Sequence, residues 1–107
     1  MYALTEYEKG FLEGLIDSEG CFAHYKTLYM SSHTITISNT NLNLLLKAQK
    51  ITGGSLYPVV SKSRSSDWRT LWSLHINRKD WKHWLGQIVL IEKETKRQEF
   101  LMRLLTK

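Results

Sequence analysis

The residues best suited to chemistry lie close together in the segment 11–22, FLEGLIDSEGCF. Asp17 and Glu19 fall at the end of a predicted helix, just before Gly20, a residue type that commonly ends helices. The last turn of a helix carries unpaired carbonyl groups and the negative end of the helix dipole, so it disfavours acidic side chains. Carboxylates are favourable there when a cation binds, because hard divalent metals take oxygen ligands. The spacing therefore indicates a candidate metal site.

The same helix carries two glycines, Gly10 and Gly14, four residues apart on one face. They leave a bare strip on which another backbone could approach closely. An ordinary helix end is the alternative, in which Gly20 only ends the helix, the acids are solvated and Gly14 is tolerated. Residue types by themselves leave both interpretations open.

Charge is unevenly distributed along the chain. Of the 107 residues, 15 are Lys or Arg and 10 are Asp or Glu, which gives a net charge of +5. Residues 1–19 carry one Lys against five acids, whereas residues 20–91 carry nine bases against two acids. A basic domain of this kind indicates a polyanionic partner, either nucleic acid or an acidic membrane surface.

Composition disfavours several other classes of protein. The single Cys21 excludes an internal disulfide and a cysteine-built zinc site, and the four His residues share no metal-ligand spacing. Apolar runs reach only four residues and the first predicted helix contains Glu and Lys, so we expect no membrane span and no secretion signal. We expect one intracellular domain, residues 1–107.

The elements that must position the acids alternate helices with pairs of strands. A possible capping box at Thr5 and Glu8, followed by apolar residues at helical spacing, predicts a helix over residues 6–18. Residues 22–30 and 33–38 predict two strands joined by a turn at residues 31–32. A second helix, through residues 42–49, follows.

The second half of the chain repeats this strand-strand-helix order. Residues 56–60 predict a strand that contains Pro58, which favours an edge or a bulge, and residues 61–66 predict a loop. Residues 68–77 predict the fourth strand, and two more helices contain the apolar sets Trp81, Trp84, Leu85, Ile88 and Phe100, Leu101, Leu104, Leu105. The order αββαββαα predicts an α+β fold with a four-stranded antiparallel sheet, one face buried on the helices and the other free.

Residues 12–20, LEGLIDSEG, resemble the nine-residue signature LAGLIDADG of the homing endonuclease family. The Leu, Gly, Leu, Ile, Asp and final Gly of the signature coincide, while Glu13 and Ser18 stand where the signature has Ala and Glu19 where it has Asp. The element order, residues 35–42 and the last helix are also similar to one family repeat, so the resemblance covers nearly the whole chain. It implies the LAGLIDADG-type αββαββα(α) fold, with a saddle-shaped sheet backed by helices.

The resemblance implies a metal-dependent DNA endonuclease. In the family the penultimate acid of the motif binds a divalent metal, so Glu19 and the carbonyl of Ser18 are the expected ligands for Mg²⁺ or another divalent cation. One motif in the chain implies a homodimer with a two-fold axis between the signature helices, which reads a palindromic or near-palindromic site in double-stranded DNA. The expected product is a staggered double-strand break.

The resemblance also implies roles around this centre. The residues expected at the dimer interface are Gly10, Phe11, Glu13, Gly14 and Asp17, with Asp17 capping the neighbouring helix across the interface and Glu13 adding a charge where the family packs tightly. Asn39 is expected to assist the attacking water. A basic residue before the last helix is expected to stabilise charge at the phosphate, and both Lys93 and Lys96 fit this role. The alternative for either lysine is a solvated helix face.

The free face of the sheet is expected to lie in the major groove of DNA, which admits a two-stranded β-ribbon. With Ile35 and Ile37 in the core, alternation points a polar set of side chains outward. The candidates on the second and fourth strands are Thr34, Thr36, Ser38, Arg69, Ser73 and His75.

The first strand is harder to assign to a face. If Phe22 packs inward, alternation sends His24 and Lys26 inward too, so we expect a bulge or twist to intervene. The DNA-contact candidates here are Tyr25, Lys26 and Thr27. In the loop after the third strand, Lys62 and Arg64 suit phosphate contact, although such a composition also fits a merely solvated loop.

Two other functions remain open from the sequence. The first is a non-catalytic DNA-binding regulator, or a helper of intron RNA splicing, on the same fold. The second is a basic structural domain whose motif is coincidental. Glu19 favours the enzyme, because a carboxylate beside phosphates lowers affinity unless a metal bridges the two.

Overall fold

The computed structural model describes residues 3–28, 31–59 and 70–105 of the chain. Four helices and four strands lie in these ranges, together with a 3₁₀ turn, Leu85–Gln87, that precedes the last helix. In chain order they are α1 Glu6–Glu19, β1 Gly20–Lys26, β2 Ser31–Asn39, α2 Leu42–Thr52, β3 Ser55–Val59, β4 Leu71–Asn77, α3 Arg78–Trp81 and α4 Glu94–Met102.

The ends of the two long helices follow local sequence signals. Thr5 and Glu8 form the predicted capping box at α1, with each side chain accepting the other's backbone N–H at 3.1 and 2.9 Å. Asn41 caps α2 by accepting the N–H of Leu44 at 3.1 Å. Gly53 ends α2 in the left-handed region, at φ 82°, where a residue without Cβ is favoured.

The four strands form one antiparallel sheet in the order β1-β2-β4-β3, which confirms the α+β prediction. β3 lies at an edge, so Pro58 removes no hydrogen bond from the middle of the sheet. The central pair, β2 and β4, joins the two strand-helix halves of the chain.

One face of the sheet is covered by the helices. Ile35 and Ile37 of β2 pair with Ile76 and Leu74 of β4, and all four are fully buried. Opposite them lie fully buried residues of the helices and of the turns that follow α3: Leu12, Ile16, Leu45, Ala48, Trp81, Trp84 and Leu85. In the described residues no helix covers the other face of the sheet, and alternation places there Thr34, Thr36, Ser38, Ser73 and His75 of the predicted polar set. Arg69 of that set lies outside the described residues.

The predictions for the hairpin β1–β2 were wrong in two details. Ser31 and Ser32 belong to β2 and do not form a turn. β1 pairs with β2 residue by residue, from Gly20 opposite Ile37 to Lys26 opposite Ser31, so no bulge intervenes. Residue 30, the predicted end of the first strand, lies outside the described residues.

The two predicted C-terminal helices also differ in extent. Where one helix was predicted through residues 81–88, the chain forms the four-residue α3 and then the 3₁₀ turn. The ring N–H groups of Trp81 and Trp84 donate to the carbonyls of His33 and Thr52 at 3.0 and 3.2 Å, so both rings are buried without losing a hydrogen bond. None of the helices in the described residues is long and apolar enough to cross a membrane.

Candidate active site

Glu19 lies at the junction where α1 passes directly into β1. Gly20 makes this junction possible, because a Cβ at that position would lie 2.7 Å from the carbonyl oxygen of Ile16. The exposed carboxylate of Glu19 accepts a hydrogen bond from the amide of Asn39 at 2.7 Å. The structure thus brings together two predicted catalytic residues that are twenty positions apart.

Asn39 is held by a second contact on its other amide atom. Its Oδ1 accepts the backbone N–H of Asn41 at 2.8 Å, immediately before α2. With its oxygen bound in this way, its Nδ2 points to Glu19. The end of β2, the start of α2 and the end of α1 therefore converge on one carboxylate.

Lys93 reaches the same helix end. Its Nζ donates to the backbone carbonyl of Asp17 at 2.5 Å, in the last turn of α1. Lys96 has other partners: it forms an exposed pair with Glu99 at 3.8 Å and lines a cleft of about 570 Å³ between β1 and α4, beside His24 and His33. Of the two predicted lysines, the structure brings Lys93 to the end of α1.

The side chain of Asp17 forms its hydrogen bonds within its own chain. It accepts the backbone N–H groups of Ile91, Glu92 and Lys93 at 2.8–3.0 Å, just before α4. Within one chain Asp17 thus caps the segment before α4, and its predicted role as a cap across a dimer interface stays a prediction. Desolvation raises the pKa of Asp17, but the three N–H bonds and the charge of Lys93 outweigh it and hold the pKa below its ordinary value.

Glu13, which had no explanation in the sequence, has the same kind of role one turn earlier. Its Oε2 accepts the backbone N–H of Val89 at 2.9 Å. Glu13 and Asp17 are four residues apart, so they lie on one side of α1 and hold the same segment, residues 89–93. Glu13 therefore binds within the chain and does not add an unpaired charge to a helix-packing surface.

The glycine strip of α1 lies on a different face. A Cβ placed on Gly10 or Gly14 would meet nothing within 4 Å. Beside the strip, Phe11 stacks on Tyr7, and the ammonium group of Lys47 lies 4.5 Å from the centre of the Tyr7 ring and 5.2 Å from that of Phe11. The strip is open, with an aromatic border on the α2 side.

On the open face of the sheet, the predicted polar residues lie side by side. Thr36 is opposite His75, and Ser38 is opposite Ser73, to whose hydroxyl it donates at 3.3 Å. Thr34 donates to the amide oxygen of Asn77 at 3.2 Å. Thr34 and Ser73 are nearly covered by neighbouring side chains, so they support the surface more than they form it.

β1 is divided between the two faces of the sheet. Phe22 packs edge-on against Phe100, and His24 stacks on His33, so this set faces the helices, and alternation places Lys26 with it. Tyr25 lies on the open face and is exposed. Thr27 follows the end of β1. The other basic candidates, Lys62, Arg64 and Arg69, lie outside the described residues.

Tyr57 is one of the open-face residues that were not predicted from the sequence. Tyr57 of β3 stands opposite Ser73, is 53% exposed, and packs edge-on against His75 with ring centres 5.4 Å apart. Alternation around Leu56 places it on this face, and the aromatic residue in an edge strand was the available signal.

Described from its geometry, the molecule is an α+β domain in which a helix ending on an acid meets the edge of an open antiparallel sheet. A family model described as a LAGLIDADG-like domain matches residues 6–89, which is most of the chain. The chain therefore belongs to the LAGLIDADG family, and this confirms the resemblance of residues 12–20. No curated protein matches the chain.

Solved structures share the fold at low sequence identity. The chain is similar to the LAGLIDADG meganuclease I-AabMI bound to uncleaved DNA, with a TM-score of 0.66 and 20% identity over 86% of this chain and 34% of that one. It is also similar to the archaeal intron-encoded homing endonuclease I-Vdi141I in complex with DNA, with a TM-score of 0.58 and 16% identity over 91% and 64%. The chain thus spans about a third of the first structure's length and under two thirds of the second's.

The Asp17 contacts predict a pH-dependent stability. Because its pKa is lowered from the ordinary 3.8, Asp17 stabilises the fold above that pH, and this contribution is lost as the pH falls through the folded-state value. Asp17→Asn replaces one acceptor oxygen by an NH₂ group that faces an N–H donor. We expect a lower melting temperature at pH 7 and a smaller further decrease on acidification to pH ~3.

The control is Glu92→Gln, an exposed neighbour in the same segment whose backbone contact is unchanged. Circular dichroism melts of the three proteins between pH 7 and pH 3 make the comparison. An Asp17→Asn variant that melts like the wild type at pH 7 would show that the three N–H bonds do not hold the segment.

Proposed function

We propose that the chain is a sequence-specific double-stranded DNA endonuclease that acts as a homodimer with a divalent metal and leaves a staggered break. The observations that carry this proposal lie at the end of α1, where Glu19 accepts the amide of Asn39 and the ammonium group of Lys93 donates to the carbonyl of Asp17, two residues before Glu19. An acid, an amide and a cation beside the edge of a free sheet face form a set suited to phosphodiester hydrolysis.

The oxygen atoms at this helix end fit a hard divalent cation. The Glu19 carboxylate is exposed, and the carbonyl of Ser18 belongs to the adjoining last turn, so Mg²⁺ would meet the donor type that it prefers. Within the described residues no group of three His, Cys, Asp or Glu side chains could hold a metal. When bound, the metal would neutralise charge on the phosphate oxygens.

The side chains of the chain then have separate roles. Asn39 holds the Glu19 carboxylate in place and offers an amide for orienting a water molecule. Lys93 supplies positive charge near the developing charge of the phosphate, and Asp17 acts as a positioning residue because it holds the backbone of Lys93. The open face of the sheet supplies the surface for the duplex, in keeping with the DNA-bound structures of similar fold.

The proposed dimer rests on the open strip of α1. Two phosphates on opposite strands require two acids close together, and Glu19 lies on the helix that carries Gly10 and Gly14. Because a Cβ at either glycine would meet nothing within 4 Å, the strip can accept a second α1 at close range. A two-fold axis there places the two Glu19 residues near each other and favours a palindromic or near-palindromic site.

Glu19→Gln is expected to abolish cleavage while DNA binding persists. The test incubates the protein with a randomised duplex library and Mg²⁺ and sequences the cut ends. Glu99→Gln is the matched control, because it makes the same change on an exposed residue paired only with Lys96 among the recorded ion pairs of the described residues. Bound but uncut DNA with the wild type would favour the non-catalytic regulator, and cutting by Glu19→Gln would overturn the assignment of the acid.

The two lysines are expected to differ in the same assay. Lys93→Gln removes the ammonium group at the end of α1, so we expect the single-turnover cleavage rate to fall by about 10²-fold or more at unchanged DNA affinity. Lys96→Gln removes an exposed ion pair and is expected to leave that rate within about twofold. A large loss of rate with Lys96→Gln and none with Lys93→Gln would instead assign the active-site lysine to Lys96, in the cleft between β1 and α4.

Gly14→Leu is expected to separate folding from association. The added side chain enters open space in one chain and replaces a helix-interior glycine, so the single chain should gain about 0.5–1 kcal/mol of stability. In a dimer it would hold the two α1 helices apart, so the sedimentation mass should fall from twice the chain mass to the chain mass and double-strand cutting should stop. Asn43→Leu, on the exposed side of α2, is the control and should change neither the sedimentation mass nor double-strand cutting.

A further inference from the structure

The open face of the sheet is formed almost entirely by uncharged side chains. Among the four strands as described, Lys26 is the one Lys, Arg, Asp or Glu, and alternation places it on the helix side. The face itself presents hydroxyl groups from β2, the exposed rings of Tyr25 and Tyr57, small apolar groups such as Ala23 and Val59, and the imidazole of His75.

These side chains match one kind of base pair better than the other. In the major groove guanine is read mainly by Arg or Lys, and cytosine by Asp or Glu, whereas the C5-methyl group of thymine is read by apolar contact. Ala23, Val59 and the methyl group of Thr36 are apolar groups that could make this contact with thymine. Asn77, at the end of β4, is an amide of the kind that reads adenine.

The hydroxyl groups also favour A·T pairs, because two of them already donate hydrogen bonds to other side chains of the face. Thr34 donates to Asn77 and Ser38 donates to Ser73, so these two hydroxyl hydrogens are directed along the sheet and not toward a groove. Two exposed side chains of the face, Tyr25 at 64% and Tyr57 at 53%, present aromatic rings with a large apolar area.

We infer that the base pairs read by these strands are predominantly A·T, with thymine methyl groups packed against the apolar part of the open face. The inference rests on the proposed function, since it names the DNA sequence that the same surface would take. Basic side chains at residues 60–69, outside the described ranges, and near the helix ends would then supply the phosphate contacts that add affinity without base selection.

The first experiment selects bound duplexes from a randomised library without divalent metal. It is run with the full chain and with a variant in which Lys62, Arg64 and Arg69 are all changed to Ala. Positions whose base preference survives in the variant are assigned to the strands, and we expect A·T at most of them. G·C at most of these positions would overturn the inference while leaving the proposed endonuclease intact, whereas retention of no duplex by either protein would overturn the proposed function.

The second experiment removes single methyl groups from both sides of the contact. Replacing each selected thymine by uracil is expected to weaken binding about fourfold at a position where the methyl group is buried. Thr36→Ser keeps the hydroxyl and removes the methyl, so one of these uracil effects should disappear in the variant. Thr95→Ser, an exposed residue of α4, is the matched control and should keep every uracil effect. Equal binding of the thymine and uracil duplexes would overturn the inference.

Discussion

The bond between the Asp17 carboxylate and three successive backbone N–H groups is the constraint on which the rest of the site depends. Those N–H groups directly precede α4, and the one of Lys93 is half-buried, where a donor without an acceptor is costly. By satisfying them, Asp17 fixes the end of α1 against the C-terminal part of the chain. Lys93 completes the contact from the other direction by donating to the carbonyl of Asp17.

This constraint separates two acids that look alike in the sequence. Asp17 and Glu19 are two residues apart, so their side chains leave the helix about 200° from each other. Asp17 faces the segment before α4, while Glu19 faces the end of β2 and accepts the amide of Asn39. Asp17 holds α1 against the segment before α4, while the carboxylate of Glu19 stays exposed at the end of the same helix.

The sheet shows a similar division between support and surface. Its helix side is a continuous apolar core through Ile35, Ile37, Leu74 and Ile76, and the core holds the strands in register. Its open side is joined across strands by hydroxyl and amide contacts, so polar side chains that are exposed in the sequence pattern are partly enclosed in the structure. In the described strands the open face is therefore less charged than the net charge of the chain indicates.

Much of the fold could be predicted from local patterns. The capping box at Thr5, the cap at Asn41 and the alternation of β2 depend on neighbours within a few residues, and the structure confirms them. The prediction was weaker where the same local pattern fits more than one structure. The spacing of Trp81 and Trp84 fits a helix, yet the bonds of their ring N–H groups to distant carbonyls accompany a short helix followed by a 3₁₀ turn.

By itself, then, the sequence determined the family, the α+β class and the acid at the end of α1. All three depend on contiguous residues or on the regular spacing of apolar residues in helices and strands. The partners of Glu13 and Asp17, the proximity of Lys93 and the distance of Lys96 were decided by tertiary structure. Each of these contacts joins positions more than seventy residues apart or depends on which face of a helix turns inward. Spacing along a chain does not encode such contacts, since the packing of α1 and the segment 89–93 against a common core creates them.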